Sequence, residues 1–259
     1  MAKFAPQYNL FKIIDSLRTW LNRIFWFVFL LSISPIVLES AGFKLKANDV
    51  ISIINMIAIG LTLLLELLIE YILVPQADSM RRDDFIDNSF GSTFAPNPSI
   101  GYYDNDEVNN GLYKVSCNLF ENCFFTYNLA KSITMRKLIL PALIMLTVFA
   151  SAFYGFKQVP FALSFLQVLF STNILGSLIK HCILLDRLHD IRDAWIGLFQ
   201  HNDFKQNVEN YRASIYRYWL QYETLHSRIQ AGIPDKVFQK LNPKLTQEWN
   251  EIKIRYNIK

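Results

Sequence analysis

Four long apolar runs decide most of what this 259-residue chain can fold into. They cover residues 24–38, extendable back to Leu21 and beginning directly after Arg23; residues 50–74, charged only at Glu66 and Glu70; residues 138–156, with no charge inside; and residues 159–185, broken by Lys180 and His181. A helix needs about 20 mostly apolar residues to cross the hydrocarbon core of a bilayer. The second and fourth runs exceed that length and the third approaches it, while the first reaches it only with the Leu21 extension and residues beyond Leu38. Soluble core helices are seldom so long and so free of charge, and apolar strands of parallel sheets are much shorter. The pattern predicts an all-α integral membrane protein with four transmembrane helices in two hairpins. Residues 1–74 would hold an N-terminal interfacial helix and the first hairpin, and residues 138–185 the second. Residues 75–137 would form a cytoplasmic loop and helix, and residues 186–259 a cytoplasmic helical tail.

Composition removes the other broad classes. With 52% hydrophobic, 15% aromatic and 19% charged residues the chain is too apolar to be disordered, and nine Gly, nine Pro and three Cys exclude collagen-like and disulfide-scaffold readings. Its mean hydropathy of +0.18 averages two populations, the apolar runs and segments rich in Asn, Asp, Arg and aromatics.

Orientation follows from the cations. Four Lys or Arg precede the first run, six lie between the second and third, and twelve follow Asp186, whereas the connections after the first and third runs hold two and one. That excess predicts N- and C-termini on the cytoplasmic side of the membrane. Cys117, Cys123 and Cys182 are then expected to be reduced thiols. Residues 1–23 do not read as a cleaved signal peptide, since no small-residue cleavage site follows the apolar run. Leu10, Ile13, Ile14, Leu17 and Leu21 recur at helical spacing, with Lys12, Asp15 and Arg18 on the other face. Such a helix suits the membrane interface, and equally a place against the cytoplasmic part.

In the middle segment Pro75 is expected to end the second helix, and turn formers fill residues 88–110. Residues 111–136 read as a helix with Leu112, Val115, Leu119, Phe120, Cys123 and Tyr127 on one face. In the tail, Trp195, Leu198 and Phe199, then Tyr211, Ile215, Tyr218, Trp219, Tyr222 and Leu225, recur at helical spacing, with Pro234 and Pro243 marking its end. An aromatic stripe of that kind is ordinarily core or oligomer interface.

The informative chemistry lies in the second and fourth runs. Ser52, Asn55, Thr62, Glu66 and Glu70 fall within roughly 80° of arc at about 100° per residue, a single polar stripe. Asn173, Ser177 and Lys180, with His181 beside them, form a shorter one. Ionisable groups in a span tend to face a partner or water. Three arrangements stay open: Glu70 and Lys180 snorkel to the interface; Glu66 or Glu70 pairs with Lys180; or an oligomer lines a pore with the stripe. All nine residues are pore or gate candidates on this last reading.

Other clusters are weaker. Asp186, His189, Asp190 and Asp193 share a helix face with Arg187 and Arg192 interleaved, a pattern that intrahelical pairing explains as well as metal ligation. No Gly-rich phosphate loop, zinc-type spacing or nucleophile elbow occurs, so neither catalysis nor a cofactor is expected.

The stretch from Gln76 to Gly91, QADSMRRDDFIDNSFG, followed by Tyr102-Tyr103-Asp104 and by Asn118-Leu119-Phe120-Glu121-Asn122, resembles the loop of the four-transmembrane effectors encoded beside bacterial nucleotide-second-messenger synthases, the Hailong-like systems among them. The resemblance covers this loop and the four-span layout. It implies an antiphage membrane effector, a homo-oligomer paired with a nucleotidyltransferase, that responds to a nucleotide-derived signal or to that enzyme and then breaches the inner membrane to stop growth. It carries no catalytic residues. Arg81, Arg82, Asp84, Asp87, Tyr102 and Tyr103 become the signal-sensing candidates, against the alternative that the motif only folds the loop. The expected function is therefore an oligomeric ion channel held shut by its cytoplasmic parts, and the alternative is a non-conducting membrane scaffold that recruits a soluble partner.

Overall fold

The computed structural model describes residues 5–40, 48–103, 105, 107–155, 168 and 172–258. The protein is all-helical, with no strand among the described residues beyond an isolated bridge at Ile100. Its helices are α1 (Tyr8–Ser40), α2 (Asn48–Leu68), α3 (Val74–Phe90), α4 (Leu112–Ser132), α5 (Thr134–Tyr154), α6 (Ser177–Phe199), α7 (Arg212–Arg228) and α8 (Asp235–Arg255). Two π turns, Ile69–Leu73 and Thr172–Gly176, lead into α3 and α6.

The chain divides into two compact units. An apolar unit comprises Leu10–Pro75 and Met135–Ile179; an aromatic unit comprises Met1–Asn9, Gln76–Thr134 and Lys180–Lys259. Both π turns end within three residues of a passage from the first unit to the second.

In the apolar unit, α2 and α5 turn large apolar side chains outward. Met56 is 73% exposed, Leu64 65%, Leu146 66% and Phe153 88%. Among the described residues one packed cluster joins Ile144, Val168 and Ile174, with Phe25, Trp26 and Phe29 against them. Burying one Leu or Phe side chain is worth about 1.5–3 kcal/mol, so outward rows of them suit a hydrocarbon solvent and not water. A helix also satisfies its own backbone, which lipid demands. Among the described residues two helical stretches, Val50–Phe90 and Leu112–Phe153, are long and apolar enough to cross a membrane. Much of the fourth apolar run, and the connections carrying Lys44, Lys46 and Lys157, lie outside the described residues.

The aromatic unit is built the other way round. Helix α4 is its centre, with every residue from Lys114 to Glu121 buried. The single face expected for this helix is therefore too narrow: α3, α6, α7 and α8 enclose it. Asn118 reaches Asn88 and Ser89 on α3, and the Cys123 thiol donates to the Leu188 carbonyl of α6 at 3.5 Å. Phe120 stacks on Phe199 of α6 and meets Trp249 of α8 edge-on, with centroids 5.2 Å apart in both cases. The tail's aromatic stripe enters this same core, where Trp195, Ile215 and Tyr222 are buried and Tyr218 and Trp219 pack on them. All three cysteines are free, and burial pushes the thiols of Cys117 and Cys123 well up.

Three local expectations fail, each for a visible reason. Pro75 does not end the second helix, which continues to Phe90. The preceding π turn, where Val74 N–H donates to the Ile69 carbonyl, opens the backbone where the proline ring would collide with the turn before it. The helix ends instead at Gly91, whose φ of 73° only glycine adopts cheaply and whose N–H caps the Asp87 carbonyl. The helix expected over residues 111–136 breaks at Ile133, where the Ser132 and Thr134 hydroxyls bond the Leu129 and Ala130 carbonyls. Pro243 lies inside α8 rather than past it, on the exposed side, while Leu245 and Trp249 hold the helix to the core. Pro234 is the residue that caps α8 at its start.

Candidate functional site

The three stretches quoted for the family resemblance converge inside the aromatic unit. Asn105 Nδ2 donates to Asn118 Oδ1 at 2.9 Å and to Glu121 Oε2 at 2.6 Å. Asn118 Nδ2 donates in turn to Asn88 Oδ1 and Ser89 Oγ at 2.9 and 3.1 Å. Asn105, Asn118, Glu121 and Ser89 are buried and Asn88 half-buried, and a buried amide without partners costs a few kcal/mol, so the chain of bonds fixes loop, α3 and α4 in one arrangement.

The acidic residues of the motif hold the loop. Asp87 accepts from Ser92 Oγ and from the backbone N–H of Phe94 and Ala95 at 2.6–2.8 Å, and these bonds outweigh burial and hold its carboxyl below the ordinary range. Asp84 accepts from Ser99 N–H at 2.6 Å, yet burial wins there and moves its carboxyl up. An Asp ahead of a turn that binds backbone N–H groups farther on is what such loops use.

Arg81 is spoken for as well. Its guanidinium forks onto Glu223 of α7, donating to Oε1 at 3.2 Å and Oε2 at 2.5 Å, with Asp78 at 3.7 Å. Burial opposes the charge, but the Glu223 carboxylate more than offsets it and the guanidinium stays firmly protonated. Tyr103 is 3% exposed, edge-on to Tyr102 at 4.9 Å and to Phe85 at 6.3 Å. Of the six sensing candidates, Arg82 is half-buried and Tyr102 exposed. Asp104 lies outside the described residues.

The polar stripe of the second run meets α1. Asn55 Nδ2 donates to Ser32 Oγ at 2.9 Å, and Arg18 Nη2 donates to Glu70 Oε1 at 2.7 Å. Thr62 bonds back to the Ala58 carbonyl, Glu66 is half-buried and Ser52 exposed. Glu70 thus has Arg18 as its recorded partner, and it belongs to the apolar unit whereas Lys180 belongs to the aromatic one. Lys180 is exposed and Ser177 half-buried. His181 is buried, with Nε2 3.0 Å from the Thr134 hydroxyl. The side chain of Asn173 lies outside the described residues.

Two partners escaped the sequence: Arg18 for Glu70, and Glu223 for Arg81. They stand 52 and 142 residues away, beyond any helical or turn spacing. The orientation rule offered a signal for the first, because it places Arg18 and Glu70 at the same membrane face.

The acidic cluster after the fourth run is spent on neighbours: His189 lies 3.3 Å from Asp193, Arg192 2.8 Å from Asp193, and Arg187 4.0 Å from Asp190. An open cleft of about 810 Å³ is lined by Tyr127, Lys131, Thr134, Leu185, Asp186, His189 and Asp190, with charges of both signs.

Fold and geometry together define an all-helical protein with two helices able to cross a membrane and a separately packed aromatic unit held by a buried polar network. No family model matches the chain, nor does any curated protein or solved structure in comparison.

Proposed function

We propose that the chain is a multi-pass bacterial inner-membrane effector of antiphage defence: four crossings, both termini cytoplasmic, assembling as a homo-oligomeric ion channel. A nucleotide-derived signal, or a partner nucleotidyltransferase, would act on the aromatic unit and open it. The observation that carries this reading is the division of labour within one chain. An outward-facing apolar unit bears a polar stripe with two glutamates, and continuous helix links it to a unit built around the quoted motif. Glutamates at the cytoplasmic end of such a stripe favour cations.

Expression of the full chain in bacterial cells, alone and with a neighbouring nucleotidyltransferase, tests the proposal. Entry of a membrane-impermeant dye and loss of membrane potential, in step with growth arrest, are expected. Growth arrest with intact membranes overturns the channel. One observation favours the scaffold reading: within a single chain two residues of the stripe, Asn55 and Glu70, are bonded to Ser32 and Arg18 of α1. On that reading toxicity would require a soluble partner and no current would flow.

A further inference from the structure

The contacts of Glu70 go further than its place in a stripe. It is the only acidic residue within the π turn Ile69–Leu73, and the chain leaves the apolar unit just beyond that turn, at Pro75. A π turn is a local loosening of the helix ladder that is common at functional sites, and a proline directly after it removes one further backbone bond. The helix is therefore weakest where it carries Glu70. At that point Arg18 of α1 closes on the carboxylate at 2.7 Å. Lys137, at the start of α5, lies within electrostatic reach of Arg18. A cation of α1 thus meets an anion carried on the π turn, and a second cation acts on the first. Of the four places where the chain passes between the units, the one at Ile179 is likewise preceded by a π turn, Thr172–Gly176.

We infer that Arg18–Glu70 is a latch across this joint: closed, it clamps α1 over the stripe of α2; open, it lets the joint at residues 69–75 bend and frees the stripe. This rests on the channel reading for its consequence, and on the geometry alone for its mechanism. An ion pair this exposed shifts an equilibrium by only about fivefold, which is the right size for a device that a signal must be able to reverse. A fully buried pair would not open.

The test is a charge-reversal cycle on the full chain with Arg18→Glu, Glu70→Arg and the double variant. The first measurement is amide hydrogen exchange across residues 69–74 in purified protein. Each single reversal is expected to speed exchange by about fivefold, and the double variant to restore the wild-type rate. The second is dye entry in cells at graded induction, where single reversals are expected to lower the induction needed and the double variant to return it. Exchange that ignores the single variants, or that stays fast in the double variant, overturns the latch. Exchange that follows the cycle while no chain ever admits dye supports the latch and removes the channel. Because the double variant keeps both charged side chains, its recovery separates a pairing role from simple misfolding of the singles.

Discussion

The two units solve opposite problems with the same secondary structure. In the aromatic unit α4 is enclosed on all sides, and even its Lys114, Asn118 and Glu121 are buried and bonded inside the protein. In the apolar unit α2 and α5 turn large side chains outward; Asn55 of α2 bonds Ser32 of α1, while Thr62, Thr147 and Ser151 bond back to their own helices. Stability in the first comes from interdigitated rings and a chain of buried side-chain hydrogen bonds. In the second, outward side chains such as Met56, Leu64, Leu146 and Phe153 suit an apolar surrounding. Helical content is thus a poor guide to what a helix is for; where its side chains end is a better one.

The sharpest way to break this comparison is a matched pair of truncations. Trp249→Ala removes a fully buried ring from the aromatic core and is expected to cost about 3–5 kcal/mol, whereas Leu64→Ala, at 65% exposure, is expected to change stability by less than about 1 kcal/mol. Denaturant unfolding of the detergent-solubilised protein, followed by near-UV circular dichroism, measures both. Equal costs would mean that the apolar unit has a packed core of its own.

A smaller effect is expected at Gly91. Its φ is 73°, and an added Cβ would sit 2.5 Å from Asn110 Nδ2. Gly91→Ala should therefore destabilise the aromatic unit by about 1–2 kcal/mol, with faster exchange in residues 91–99 and no change in α2. A change of equal size in both units would show that they unfold as one.

The last concerns pH. Burial, with Arg81 and Arg82 nearby, holds the His226 imidazole at about 3, well below its ordinary 6.5. The unfolded chain then takes up a proton that the folded one refuses, so this residue costs stability as pH falls from 6.5 toward 3 and costs nothing above 6.5. His226→Gln is expected to flatten that acid-side decline in thermal unfolding measured between pH 7 and 4. An unchanged slope would assign the decline to other groups.

The apolar runs and the enclosed aromatic stripe were legible because burial writes a period into the sequence: Trp195, Leu198, Tyr218 and Tyr222 all recur as a helix requires. The passage through Pro75 was not legible. Proline normally ends a helix, and nothing in Ile69–Leu73 as a string of residues announces the π turn that accommodates it. The stripe was legible as a stripe, since its residues share one helix, but its partner was not. Ser32 and Arg18 sit on α1, and pairing between helices has no period to read. The same holds for Arg81. Two adjacent arginines suggest an anion, and the anion bound to one of them is Glu223, supplied by the chain itself. Asp84 and Asp87 follow a readable rule for loop anchors, a short acidic side chain ahead of a turn from whose N–H groups it accepts.

The tryptophans carry one more consequence. Trp195 and Trp249 are sealed and Trp219 half-covered in the aromatic unit, while Trp20, exposed, and Trp26, half-covered, stand on α1 in the apolar one. Fluorescence from this protein therefore has two addresses without any added label. A brominated detergent quenches rings that touch it and spares rings that do not. The share of emission it removes is a readout of α1 alone, and the remainder is a readout of the aromatic core, so an optical titration can follow the two units separately in the unmodified chain.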